Sequence, residues 1–254
     1  MKADRDKNKK SPPLFILESF EPEQQRVVLP HEEAGHAIKA LRMRAGDPIH
    51  ITDGAGTLGQ GVINRIEPKQ NVVVIDVSST TNQPSATSIL TLASAIPKGE
   101  RQAVLIDMAV QLGIDVFVPL DCEFSAVRYQ SKMRERWLRV ARSACKQSRR
   151  LYLPRVEDSQ TVNSLLNHVP DHSLVVYGSQ HGESIYHIPE GIISSVRHVV
   201  LLIGPEGGFS DVEQSTLERF SGAFALRAGE HILRTEAAAI ALVTLAMQIK
   251  QRLS

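Results

Sequence analysis

Two segments of the chain hold residues whose types and spacing could build a ligand pocket. The first is LLIGPEGGFS, Leu201 to Ser210, and the second, downstream, is AGEHILRTEAA, Ala228 to Ala238. In the first, Gly204, Gly207 and Gly208 free the backbone to take positive φ and to approach a ligand closely, while Pro205 stiffens the turn. A rigid, open loop is expected. A helix start behind such a loop ordinarily draws phosphate, but this loop offers no Lys and sets Glu206 in the way, which argues against a P-loop. A ligand without phosphate, and a cationic one, fits better. The plain alternative is an ordinary strand-to-helix turn. The second segment runs through Gly229 into Arg234, Thr235 and Glu236, so its polar groups gather at the head of an apolar stretch.

The elements that must position these residues follow from periodicity. Val196 to Ile203 is a Val/Leu/Ile run that reads as a buried strand, and Ser210 with Glu213 forms a capping box that starts the next helix. Ala237 to Ile249 reads as a helix with Thr235 as its N-cap. Its nearly uniform apolarity implies burial on more than one side, by a subunit interface or by an ordinary core, and it falls short of the ~20 residues that span a membrane. Leu90 to Ala95 reads as a strand, Arg101 to Leu112 as a helix ending at Gly113, Val116 to Leu120 as a strand, and Leu174 to Tyr177 as another before Gly178. Strands alternating with helices imply a largely parallel sheet with ligands at the strands' C-terminal ends. Gly178, Gly204 and Gly229 are therefore expected to wall one pocket, with His181 and His187 as surface residues.

The N-terminal part has another texture. Short β-rich runs at Pro48 to Thr52, Gly61 to Ile66 and Val72 to Val77, separated by turn residues, predict a small barrel, with HAIKALRM, His36 to Met43, as its helix. Residues 1–13, with five Lys/Arg, read as a disordered tail, and the polar stretch Ser78 to Ser88 as a linker. Gly54, Gly56 and Gly59 spell GxGxxG, but the run after them reads as a strand, so a hairpin turn is expected instead of a dinucleotide site. His31 and His36 are five apart and diverge around a helix, so no metal is expected there.

The 254 residues carry a net charge of only +1, with 42% hydrophobic and 22% charged residues, an ordinary globular composition. RNA or DNA affinity would have to be local. The local candidate is Lys132 to Arg150, an amphipathic helix whose eight cations, including Arg136, Arg139, Arg142 and Arg149, face one acid, Glu135. Cys122 and Cys145 form no metal spacing and no signal peptide is evident, so a reducing cytoplasm is expected.

The paired motifs resemble those of the RsmE family of 16S ribosomal RNA uridine methyltransferases, in which LIGPEGGFS and a segment like LGxRILRTETA form the S-adenosyl-L-methionine site. HAIKALRMRAGDPIHITDGAG, His36 to Gly56, resembles the family's N-terminal RNA-binding signature, and PKGER, Pro97 to Arg101, its entry into the catalytic domain. The resemblance covers nearly the whole chain after about Leu14. It implies an α/β fold: a PUA-like RNA-binding β-barrel over 14–78, a linker over 79–88, and a SPOUT methyltransferase domain over 89–254 with a deep C-terminal trefoil knot.

By the same resemblance, Gly178, Leu202, Ile203, Gly204, Pro205, Glu206, Gly207, Gly208, Ala228, Gly229, Ile232, Leu233 and Thr235 bind cofactor. His36, Lys39, Arg42, Arg44, Lys98 and Arg101 join the basic helix as RNA-binding residues. The implied partners are 16S rRNA or the small ribosomal subunit and a second copy in a homodimer, with no membrane and no metal. The implied reaction is methylation of ring nitrogen 3 of a uridine. Its weakly acidic proton must leave, so a fixed cation, Arg234, would stabilise the uracil charge, with Glu236 orienting it or contacting the proton; a structural ion pair is the alternative.

The chain departs from the family pattern at Met108 and Gln111, at Phe124 where Arg is usual, at Lys146, at His231 and at Ala237. These departures bear on the RNA contacts and the target. They leave open an enzyme for another RNA position, or a non-catalytic rRNA-binding or ribosome-assembly protein.

Overall fold

The structure, a computed structural model, describes residues 11–17 and 19–252. The chain divides into two units, one of residues up to 85 with 146–152, the other of residues 86–145 with 153–254.

In the first unit come β1 (Leu14–Ile16), β2 (Arg26–Val28), α1 (His31–Gly35), β3 (Pro48–Thr52), β4 (Thr57–Glu67) and β5 (Val72–Asn82). They form a five-stranded sheet in the order β1-β3-β4-β5-β2, parallel only between β1 and β3. Inward residues Phe15, Ile49, Ile51, Ile63, Val73 and Ile75 make its core. The helix begins five residues before the expected His36. Pro30, which sets the entering φ, accepts a bond from Ala34 N at 2.8 Å, and Ala34 and Ala37 bury the inner face. The helix continues with wider π-type turns from His36 to Ala40 and stops before Arg42, which has φ +53°.

The GxGxxG run is a hairpin turn between β3 and β4. Asp53 Oδ1 accepts from Ala55 N at 2.7 Å and Thr57 N at 3.0 Å, while Gly54 and Gly56 take positive φ. β5 runs on to Asn82, opposite Thr57, so strand pairing reaches into the segment expected as linker. Of the expected tail, residues 1–10 lie outside the described residues. Its last three are held, because Ser11 and Pro12 carbonyls accept from Arg149 and the Pro13 carbonyl accepts from His50 N.

The second unit contains β6 (Ile89–Ala95), α2 (Arg101–Leu112), β7 (Val116–Leu120), α3 (Ser131–Ser148, its last turn counted with the first unit), β8 (Arg155–Val156) and α4 (Val162–Asn167). There follow β9 (Ser173–Glu183), α5 (Glu190–Ile193), β10 (His198–Ile203), α6 (Asp211–Arg219), β11 (Ala223–Leu226) and α7 (Thr235–Arg252). The six strands are all parallel, in the order β11-β9-β10-β6-β7-β8. Parallel strands are covered on both faces, which is why β7 and most of β10 are buried along their length. The expected α/β class holds.

Local signals set several boundaries as read. Gly113, at φ +107°, ends α2 by donating to the Ala109 and Val110 carbonyls. Ser210 and Glu213 close both bonds of the capping box at the start of α6. Three readings change. Thr235 is the first residue of α7 and not its N-cap, and its hydroxyl donates to the Gly204 carbonyl at 3.5 Å. α7 continues past Ile249 to Arg252, and Lys250 near its end pairs with Asp115. β9 runs straight through Gly178, so that glycine is strand; β10 and β11 pair with β9 as far as Tyr177, and β11 pairs with it again at Glu183 beyond a register shift.

α7 packs against α2, β6, β10 and β9. On α3, Trp137, Ala141, Ala144 and Cys145 bury one face, with Trp137 edge-on to Phe117 at 5.5 Å. Among the described residues no helix is long and apolar enough to cross a membrane.

Candidate cofactor pocket

A cavity of about 300 Å³ opens at the C-terminal ends of β9, β10 and β11, where a parallel sheet presents its ligands. Both motif loops wall it. From the first come Ile203, Gly204, Pro205, Glu206 and Gly208; from the second, Ala228, Gly229, Ile232, Leu233 and Thr235; and Gly178 of β9 joins them. Gly208 has φ +78°, the left-handed backbone that the glycine-rich loop was expected to need. The Thr235 bond to Gly204 joins the two loops at their bases.

Two expected residues stand apart from the cavity lining. Leu202 is fully buried in the sheet core. Gly207 faces Phe124 instead: a Cβ placed on it would lie 3.2 Å from the Phe124 Cβ. The cavity also uses Phe209 of the first motif, which was not in the expected set, and residues outside both motifs, among them Gln180, His181, Gln214, Arg227 and Leu242. His181, read as a surface residue, is exposed and stands on the cavity wall. Its only sequence signal was its place just beyond the Leu174–Tyr177 run. The Phe209 ring packs edge-on against Tyr177 at 6.5 Å, and burial, then Glu218, pushes the Tyr177 hydroxyl up, while a bond from Gln214 opposes them.

Arg101, the first residue of α2, lies between two carboxylates. Its Nη1 is 3.5 Å from Glu206 Oε1 and 3.8 Å from Glu236 Oε2. Glu236 Oε2 is buried and accepts no hydrogen bond. Glu236 therefore faces Arg101, and the expected orienting contact to Arg234 is not formed. Arg234 is exposed, does not line the cavity and makes no ion pair among the described residues. Glu236 likewise does not line the cavity. Cys122 is enclosed nearby in the core, and burial, followed by Glu213 and Asp121, pushes its thiol up to about 12.

The family known as the RNA methyltransferase domain matches residues 84–247, well over half of the chain, and the RNA methyltransferase PUA domain matches residues 29–76. The chain belongs to the RNA methyltransferase domain family.

Relatives of this RNA methyltransferase carry a more specific name. Ribosomal RNA small subunit methyltransferase E of Rickettsia conorii is 29% identical over 228 residues, covering 87% of this chain and 89% of that one. The protein of the same name from Bacillus subtilis is 28% identical over 216 residues, covering 82% and 84%. A crystal structure of ribosomal RNA small subunit methyltransferase E from Neisseria gonorrhoeae, bound to S-adenosyl methionine, superposes with a TM-score of 0.83 at 26% identity, covering 93% of this chain and 97% of that one. The resemblance to RsmE read from the motifs is thereby borne out.

The cations expected to meet RNA are distributed over this RNA methyltransferase as follows. His36, Lys39, Arg42 and Arg44 are exposed on the helix of the first unit and the turn after it, within or beside the PUA match. Lys98 is exposed ahead of α2, whereas Arg101 is held by its two carboxylates. On α3, Arg136 pairs with Glu100 at 3.6 Å, Arg139 is exposed, and Arg142 is half-buried. Arg149 has φ +60° and spends its guanidinium on the Ser11 and Pro12 carbonyls. Lys146, one of the departures, bonds Glu33 at 2.8 Å in a mostly buried pair.

Proposed function

We propose that this chain transfers a methyl group from S-adenosyl-L-methionine to ring nitrogen 3 of a uridine in 16S ribosomal RNA. The observation that carries the reading is that both motif loops converge on one cavity at the strands' C-terminal ends. The cavity suits the cofactor chemically. Ile203, Leu226, Phe209 and Leu242 offer apolar wall, Gln180, Gln214 and backbone of the glycine-rich loops offer hydrogen bonds, and Glu206 sets a carboxylate beside a site for a cation. When bound there, the cofactor supplies an electrophilic methyl on a positively charged sulfur.

The chain's own residues have three tasks. The apolar walls exclude water, and the loops, tied by Thr235 and Gly204, hold the donor side fixed so that attack is in line. Arg234, free of ion pairs among the described residues, stabilises the negative charge that uracil gains as its proton leaves. Glu236 contacts that proton, and Arg101 fixes the carboxylate in place. The exposed cations His36, Lys39, Arg42, Arg44, Lys98 and Arg139 give the RNA its contacts, while Arg136 and Arg149 are engaged within the protein by Glu100 and by the Ser11 and Pro12 carbonyls.

The chain acts as a homodimer in the cytoplasm. Support for the dimer comes from the outer side of α7, where Ile240, Ala241 and Leu245 are only partly covered and Ala237 is exposed, and from the exposed Val104 and Met108 on α2, the helix it packs against. A C-terminal trefoil knot belongs to the same reading, supported by α7 packing beside β9, β10 and β6 together.

The test is incubation with methyl-labelled S-adenosyl-L-methionine and undermethylated small ribosomal subunits, with the label located by nuclease mapping and mass spectrometry. Label as 3-methyluridine in 16S rRNA is expected. Label elsewhere would favour an enzyme for another RNA position, the alternative that the departures at Met108, Phe124 and Lys146 leave open. Cofactor binding with no turnover on any RNA would leave a binding or assembly protein.

A further inference from the structure

A second cleft, of about 450 Å³, lies between α3 and the segment Leu153–Glu157 that carries β8. Three of its lining side chains are arginines, Arg134, Arg142 and Arg155, and one is an acid, Glu157. Arg134, Leu138, Ala141 and Arg142 recur at helical spacing, so they form one stripe of α3. Arg136 is turned to Glu100, away from this stripe. Arg155 approaches Glu157 only at 3.8 Å, with most of its side chain exposed. Asp158, next in the chain, accepts from the Tyr129 hydroxyl at 3.0 Å. Arg134 and Arg142 make no ion pair among the described residues. A cleft with this surplus of guanidinium groups has the chemistry of a phosphate-backbone site.

We infer that this cleft grips backbone phosphates of the substrate RNA at a distance from the reacting base, an inference that rests on the RNA methyltransferase reading. Two observations give the geometry. Arg134 and Arg142 are eight residues apart on one helix, so their Cα atoms are separated by about 12 Å along the axis, too far for a single phosphate and suited to an extended strand. The cleft belongs to the β8 edge of the sheet, and β10, which feeds the cofactor loop, lies three strand spacings away, about 14 Å. RNA held in the cleft must therefore cross the sheet to reach the cofactor pocket. The apolar floor of Leu138, Pro154 and Val156 offers no base-edge hydrogen bonds, so the grip reads charge and not sequence.

The experiment compares the full chain with the Arg134→Gln/Arg142→Gln/Arg155→Gln variant, using labelled small-subunit rRNA over a series of salt concentrations. Each phosphate contact contributes about 0.7 to 0.9 to the slope of log affinity against log salt, so the variant's slope should be shallower by about 2 and its affinity at low salt weaker by tenfold or more. Its KM for RNA should rise similarly, with kcat and cofactor affinity unchanged. An Arg→Lys version of the triple variant should retain most of the slope. An unchanged slope and affinity would overturn the cleft while leaving the proposed reaction standing. A wild-type chain that binds no rRNA at any salt would overturn both. Thermal unfolding of each variant confirms that the fold is kept, and single Arg→Gln variants give the same slope measurement should the triple one be unstable.

Discussion

The Nη1 of Arg101 stands 3.8 Å from Glu236 Oε2, a buried carboxylate oxygen that accepts no hydrogen bond. This places the first residue of α2 against the first turn of α7, and the same guanidinium reaches Glu206 in the cofactor loop. Three segments far apart in sequence are thus joined through one side chain. Replacing Arg101 by Gln should lower kcat about tenfold to a hundredfold, because Glu236 loses the cation that fixes it. Arg234→Ala should lower kcat by a similar or larger factor with cofactor affinity nearly unchanged. Single-turnover rates alongside cofactor titration separate the two effects, and normal rates in Arg234→Ala would remove that residue from the mechanism.

Gly208 is a second point of leverage. At φ +78° it occupies backbone that a β-branched side chain tolerates poorly, although nothing lies within 4 Å of where its Cβ would stand. Gly208→Val should therefore act by strain and not by collision. A cost of about 1–3 kcal/mol is expected, read as a roughly tenfold or greater loss of cofactor affinity in calorimetry. Undiminished affinity would mean that the loop conformation is not part of the site.

Lys146 and Glu33 form a mostly buried pair at 2.8 Å, and Glu33 Oε2 is buried without a partner of its own. Removing one member strands the other charge. Lys146→Met should cost about 1–3 kcal/mol in denaturant unfolding, and Glu33→Gln added to it should recover part of that loss. Strict additivity of the two changes would show that the pair is not coupled.

The Cys122 thiol, raised to about 12 by burial and neighbouring acids, holds its proton throughout the neutral range. It should resist thiol-specific reagents at pH 7 to 8 until the protein unfolds. Because the folded state holds this proton more tightly than the unfolded chain, whose thiol titrates near its ordinary value of 9, its stabilisation is whole below about pH 9 and is lost as pH rises toward about 12. Cys122→Ser should flatten that alkaline decline in a series of thermal melts, and an unaltered decline would assign it to other groups.

Much of this chain was legible before folding because its signals are local. The capping box at Ser210 and Glu213, the stop at Gly113 and the hairpin at Gly54 to Gly56 each depend on bonds within a few residues, and each forms where the sequence placed it. The glycine-rich loops likewise announced a pocket, since close approach of backbone requires those residue types in any fold. The misplaced boundaries have the opposite cause. β9 runs through Gly178 to Glu183, where Leu226 of β11 lies opposite, and β5 reaches Asn82 because Thr57 lies opposite; neither partner is visible in the local pattern.

The site shows the same division. Residue types at the two loops were set by sequence, but the meeting of Arg101 with Glu206 and Glu236, and the turning of Gly207 toward Phe124, depend on how α2, β10 and α7 pack in the parallel sheet. The basic stretch of α3 was evident as composition, yet folding sorted it. Arg149 went to backbone carbonyls, Arg136 to Glu100, and Arg134 and Arg142 to a cleft completed by Arg155. Charge content is a property of sequence, whereas which charges remain available to a ligand depends on the neighbours that tertiary structure brings to them.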